Sequence, residues 1–179
     1  MKKFILSTAL LLIAILGTVS VCSCSNSDDD SDSTTPTNKR SYYQVIYNVQ
    51  LSATYYQFFD IEMKYTNKNG DEATITLTEN KKYSLEMEYK NKPSQLTCKI
   101  TAKPKSNAST IEEGKNYIME KNCSAQDYVY FQDKTVDKTY GGKFYNNPSS
   151  TTIPAANMSD YIQKEHLIFS YSVTTPTGE

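Results

Sequence analysis

The sequence predicts an all-β domain in which two antiparallel sheets pack face to face. Two observations carry that expectation. Apolar and polar residues alternate with period two in segment after segment from Ser41 onward, and clusters of Asn, Gly, Pro and Lys separate those segments. Strands with one apolar and one polar face belong to sheets that are buried on one side and solvated on the other. Two such faces pressed together make a sandwich.

The elements follow in order. Tyr43, Val45, Tyr47, Val49 and Leu51 alternate with Gln44, Asn48 and Gln50, which makes the first strand. Phe59, Ile61, Met63 and Tyr65 alternate with Asp60, Glu62 and Lys64, and Ala73, Ile75 and Leu77 are interleaved by threonines. Between these two runs Asn67-Lys68-Asn69-Gly70-Asp71 supplies hairpin chemistry, with Gly70 free to take a positive φ. Tyr83, Leu85, Met87 and Tyr89 form the next inward set, Asn91–Ser94 a turn, and Leu96, Cys98, Ile100 and Ala102 the set after it. Lys115–Glu120 and Tyr128–Gln132 read as two separate strands, and Tyr140-Gly141-Gly142-Lys143 as a turn. Asn146–Asn157 reads as a Pro/Ser/Asn loop, and Ser159 is placed to N-cap one short helix running to Glu165, near residue 160. Leu167, Phe169, Tyr171 and Val173 are the inward set of the last strand. About eight strands of this kind suit an immunoglobulin-like sandwich. The same periodicity suits a small outer-membrane barrel, but the outward positions repeat acidic residues and the chain ends Thr-Pro-Thr-Gly-Glu with no aromatic.

Composition excludes several function classes. Over 179 residues the formal net charge is −1, and Arg40 is the one arginine, so the concentrated basic face of a nucleic-acid binder is missing. The single histidine, His166, cannot build a multi-histidine metal site, and no phosphate loop, nucleophile elbow or His-Glu-x-x-His run occurs. No catalytic residue, cofactor or metal is therefore expected. Asn67–Asp71 lacks the oxygen spacing and closing Glu of a calcium loop and reads as a hairpin turn.

Residues 1–23 read as a secretion signal: Lys2 and Lys3 precede an apolar run, Phe4–Leu16, that is too short to span a bilayer comfortably. The end of that segment, Val21-Cys22-Ser23-Cys24, resembles the lipobox of bacterial lipoproteins, which implies a diacylglycerol thioether on a cysteine that becomes the mature N-terminus. Either cysteine can serve. Cys24 is preferred, because Ser23 directly before it and Val21 three before it match the small and aliphatic positions of that pattern. The run Ser25-Asn26-Ser27-Asp28-Asp29-Asp30 resembles the acidic export signal of Bacteroidota lipoproteins, with Asp28, Asp29 and Asp30 at its centre, and implies display on the outer face of the outer membrane. Residues 24–40, rich in Ser, Asp and Thr, read as a disordered tether with an r.m.s. reach of about 23 Å. Residues 41–179 then form one domain. Within it, Tyr55–Ile61 and Thr97–Lys105 are similar to segments of small Bacteroidales lipoproteins of unassigned role, a likeness that implies compartment and domain type and brings no site residues.

The expected function is a lipid-anchored cell-surface binding module without enzymatic activity. A carbohydrate-binding accessory lipoprotein of a glycan-uptake system, and an enzyme of unrecognised type, are the alternatives. Contact with the membrane runs through the N-terminal lipid alone, and the partner is a glycan or another surface protein. The chain holds fifteen tyrosines and no tryptophan, and tyrosine suits sugar stacking and protein contact alike. The candidate binding residues are Tyr140, Phe144, Tyr145 and Asn146, around the Gly141-Gly142 turn. Cys98 and Cys123 are a candidate disulfide if their Cα atoms lie within about 7 Å, and otherwise Cys98 is a small buried hydrophobe.

Overall fold

The computed structural model describes residues 40–89, 93–137 and 143–174. The signal segment, residues 24–39 of the tether with Cys24 and Asp28–Asp30, and the turn containing Tyr140 lie outside the described residues, while Arg40, expected at the end of the tether, begins the first strand. The order is β1 (Arg40–Leu51), α1 (Ala53–Phe58), β2 (Phe59–Thr66), β3 (Glu72–Leu77), β4 (Tyr83–Tyr89), β5 (Gln95–Pro104), β6 (Asn116–Phe131), β7 (Lys143–Asn146), β8 (Ser149–Pro154), α2 (Ala155–Tyr161) and β9 (His166–Thr174). Two antiparallel sheets result. One runs β4-β1-β6-β7 with β8 also on β6, and the other runs β3-β2-β5-β9. The sandwich expected from the alternation is thus present, with nine strands among the described residues against the eight anticipated.

Its centre is an interlocked set of four strands. β1 and β4 are neighbours in the five-stranded sheet, while β2 and β5 are neighbours in the four-stranded one. That exchange between sheets is the central arrangement of an immunoglobulin-like sandwich. Between β5 and β9 the chain leaves the four-stranded sheet, builds β6, β7 and β8 onto the other, and returns through α2.

Where sequence and structure differ, local chemistry explains why. The two strands expected over Lys115–Glu120 and Tyr128–Gln132 are one strand of 16 residues, β6. The inward positions at its middle are Cys123, Ala125 and Asp127, all buried, and their small or polar side chains hide the alternation from a hydropathy reading. The loop expected over Asn146–Asn157 contains β8, whose Ser149–Thr152 side chains are exposed although its backbone pairs with β6. The short helix starts four residues before the expected Ser159 cap. Pro154, with φ −60°, leads into α2, no side chain caps it, and Met158 anchors it in the core. α1 went unforeseen because six residues are too few to show a helical period; Tyr55 and Phe58 bury its inner side. Ser52 joins β1 to it by completing the ladder. Its N–H donates to Glu120 O (2.8 Å), its Oγ donates to Ile118 O (3.0 Å), and the same Oγ accepts from Glu120 N (3.1 Å).

The β2–β3 hairpin forms as expected. Gly70 takes φ +90°, and Asn67 Oδ1 accepts from the N–H groups of Asn69 (2.8 Å) and Asp71 (3.1 Å). The last strand departs from simple alternation. Ile100 pairs with Phe169 but Thr101 with Leu167, so Ile168 is an extra, bulged residue. Ile168 and Phe169 both turn into the core, and Leu167, expected inside, is 57% exposed. Lys121 reaches across from β6 and donates to the Ile168 carbonyl (2.7 Å), which ties the two sheets together at the bulge.

Phe169→Ala should lower stability by about 3–5 kcal/mol, as for other buried phenylalanines. Leu167→Ser, outside the core, should change it by less than about 0.5 kcal/mol. Urea denaturation of both variants checks the bulge, since an unbulged strand would bury Leu167 as deeply as Phe169.

Candidate ligand-binding face

The pairing register decides which face each candidate residue occupies. Ser124 on β6 pairs with Asn48 on one side and Asn146 on the other, and Gln126 pairs with Ile46 and Phe144. Cys123, Ala125, Asp127 and Val129 are buried between the sheets, so the alternate positions Asn122, Ser124, Gln126 and Tyr128 lie on the outward register, where Ser124 is nonetheless buried. Phe144 and Asn146 share that outward face, and Phe144 is 59% exposed. Tyr145, between them, points the other way. Its ring meets Tyr171 edge-on at 5.0 Å between centroids, against Ala125 in the register. Of the expected binding set, then, Phe144 and Asn146 stand together, Tyr145 is a core-edge residue, and Tyr140 is outside the described residues.

Residues not foreseen complete the face. A cavity of about 300 Å³ is lined by Asn48, Gln50, Lys82, Asn122, Ser124, Phe144 and Asn146. A second, of about 310 Å³, is lined by Gln50, Ser52, Ala53, Asn80, Glu120 and Asn122. Gln50 and Asn122, which are cross-strand partners, line both. The signal for these residues lay in the sequence as the polar half of the alternation in β1, but for β6 it needed the register.

Charge is distributed unevenly over the two outer faces. From Gln44 to Gln50 on β1, from Asn116 to Tyr130 on β6, and at Phe144, Asn146, Ser150 and Thr152, the outward positions carry one charged side chain, Glu120, while β4 at the sheet edge adds Glu86 and Glu88. The outward positions of the other sheet include Asp60, Glu62, Lys64, Glu72, Lys99 and Lys103, with ion pairs Lys103–Glu62 (3.0 Å) and Lys64–Glu72 (3.3 Å). One face is a solvated charge lattice of both signs; the other carries carboxylates on β4 and at Glu120, while its β1–β6–β7 part is rich in amides and bears an exposed aromatic ring.

The remaining candidates sit elsewhere. His166 stacks on Tyr161 (centroids 4.0 Å apart, planes at 18°), meets Phe59 edge-on at 5.3 Å, and its Nε2 lies 2.8 Å from the Tyr161 carbonyl oxygen. It lines neither of the two cavities. Cys98 and Cys123, the candidate disulfide, are free thiols, both buried. Burial raises the Cys98 thiol to about 12 and the Cys123 thiol to about 11, because a thiolate would lose its hydration. Among the described residues no cluster of three or more His, Cys, Asp or Glu could hold a metal ion, and no helix is long and apolar enough to cross a membrane. No protein-family model, curated protein or solved structure matches the chain.

Protonated, enclosed thiols are poor nucleophiles. Iodoacetamide at about pH 8 should leave Cys98 and Cys123 unmodified in the folded chain and label both after denaturation in guanidinium, as read by peptide mass spectrometry. The same shifts carry a sign for stability. The unfolded chain releases these thiol protons near the ordinary thiol value of 9.0 while the folded chain keeps them, so stability should fall as pH rises from there toward about 12. Urea midpoints measured across that window test the fall.

Proposed function

We propose that the chain is a lipid-anchored cell-surface binding module without enzymatic activity, and that it meets its ligand through the outer face of the five-stranded sheet. The observation that carries the reading is the sparseness of charge over the part of that face built by β1, β6, β7 and β8. Charged residues make up 22% of the chain, yet the outward positions of β1, β6, β7 and β8 from Gln44 onward hold only Glu120, and the other outward carboxylates, Glu86 and Glu88, sit on the edge strand β4. A solvated sheet with no partner has no need to withhold charge from its central strands, since charged side chains are the ordinary covering of an exposed strand. Interfaces deplete charge at their centres and keep aromatic anchors, and Phe144 beside the amides has that character.

A rigid sheet offers such a surface at low conformational cost, because the ladder already holds its backbone. The absence of enzymatic activity is supported by the placement of His166, which is committed to an aromatic stack and a backbone carbonyl rather than to a nucleophile. The anchor rests on the likeness of Val21–Cys24 to a lipobox and of Asp28–Asp30 to an export signal. Stable attachment needs two or more acyl chains, which a diacylglycerol thioether supplies.

Cys24→Ser should move the chain from the membrane fraction to the soluble one, whereas Cys22→Ser should leave it in place, as read by fractionation and radiolabelled palmitate. Replacing Asp28–Asp30 with alanines should preserve lipidation and reduce cleavage by protease added to whole cells. Label that persists in the Cys24 variant contradicts the anchor, and unchanged cleavage contradicts surface display.

A further inference from the structure

Resting on the assignment of that face, we infer that its ligand is an uncharged carbohydrate chain lying across β1, β6 and β7, with a sugar ring on Phe144. Three observations converge on this class. The first is shape. The two cavities meet at the Gln50–Asn122 pair, so the depression extends along the sheet rather than closing around one small molecule. Asn48 and Asn146 flank the buried Ser124 across three strands, and strands lie about 4.8 Å apart, so the two amides stand about 10 Å apart. Gln50 and Asn122 lie two residues further along, about 7 Å away on the same face. A surface of that extent accommodates a chain of sugar units.

The second is hydrogen-bonding chemistry. Each Asn or Gln offers one acceptor oxygen and two N–H donors side by side. Hydroxyl groups also donate and accept, so neighbouring sugar hydroxyls can satisfy an amide with two bonds. A carboxylate or phosphate ligand would use only the donors, and an ammonium ligand only the acceptors. Lys82 lines one cavity and Glu120 the other, so the groove supplies no net countercharge to either kind of ion.

The third is the aromatic ring. Phe144 stands on a strand, held by pairing with Gln126, and turns away from the core. It has no hydroxyl to solvate, so its exposure carries no polar compensation. A ring fixed in this way, with amides on its own strand and on the strand beside it, presents a flat apolar surface to the C–H face of a sugar while its neighbours take the hydroxyls. A single stacked ring binds weakly, and many copies on one membrane facing one polymer raise the avidity.

The test uses the full-length chain extracted in detergent, run by affinity electrophoresis through gels containing amylopectin, β-glucan, mannan or xylan. Polygalacturonate serves as the anionic comparison and casein as a protein comparison. At least one neutral polysaccharide should retard the chain. Phe144→Ala and, separately, Asn122→Ala should each weaken that retardation about tenfold, the effect of losing one stacked ring or one bidentate contact. Lys99→Ala, on the opposite sheet, should leave it unchanged. Both residues on the proposed face are exposed, and a thermal melt confirms that the variants fold. Retardation by polygalacturonate alone, or by no glycan, overturns the carbohydrate assignment. Retardation by casein that Phe144→Ala abolishes overturns it too, but leaves the face as a binding surface. Glycan retardation indifferent to both Phe144→Ala and Asn122→Ala overturns the face as well.

Discussion

The pairing of β1 with β6 is the constraint on which the rest of the molecule depends. It runs from Tyr42 opposite Tyr130 to Leu51 opposite Lys121 without a slip. Side chains on a strand alternate between faces, so this one register places Val49 and Cys123 in the core and Gln50 and Asn122 outside. A shift of one residue would bury the amides and expose Val45, Tyr47 and Val49 together. The ladder is secured at both ends. Ser52 extends it at one, and at the other Arg40 Nε donates to Asp137 Oδ2 at 2.8 Å, with the Asp137 side chain 4% exposed. Asp137 in turn donates its N–H to Val129 O at 2.7 Å, after a tight turn in which Lys134 takes a φ of 67°.

Between the sheets the core is unusually rich in tyrosine, and each phenol brings a hydroxyl that burial penalises unless it finds a partner. Tyr89 donates to Thr66 O at 2.8 Å and Tyr47 to Thr97 O at 3.3 Å, both from the five-stranded sheet to the other. Thr66 and Thr97 are themselves joined, Oγ1 to Oγ1 at 3.1 Å and Thr97 N to Thr66 Oγ1 at 2.9 Å, so these bonds converge on one polar seam. Tyr47 and Tyr171 meet edge-on at 5.9 Å, and burial raises both phenols well above their ordinary range, which keeps them neutral. The Tyr171 phenol is raised further by the Asp127 carboxylate beside it. Together with Lys121 on the bulge carbonyl, these contacts fix how the sheets are stacked, a property that apolar burial alone leaves loose.

The proposed binding face follows from the same geometry. The polar half of β1, the polar half of β6 and one side of β7 become a continuous surface only because the three strands are adjacent and in register. The excursion from β5 to β9 is what supplies β6 and β7. Without it the Asn48–Gln50 stretch would be the edge of a smaller sheet. On the proposed reading, an insertion that completes the core also carries half of the ligand surface, at the end of a tether that holds the domain near the membrane.

The sequence alone determined the sandwich, the inward sets of β1 through β5, the β2–β3 turn and the burial of Cys98, because each depends on a period or a turn residue that local chemistry imposes. It also placed Phe144 and Asn146 among the candidate binding residues. Tertiary structure decided what no local pattern encodes. Cys123, Ala125 and Asp127 became inward positions of one long strand because β1 and β7 pair on either side of them. Tyr145 was separated from Phe144 because neighbours on a strand face opposite ways, and which of the two met the core was set by pairing with β6. Leu167 was turned out by a bulge that inserts Ile168, a displacement written in the partner strand rather than in the alternation of β9. Where apolar residues alternate with polar ones, the period itself marks the inward side; where both sides are small or polar, as in the middle of β6, only the partner strands decide it.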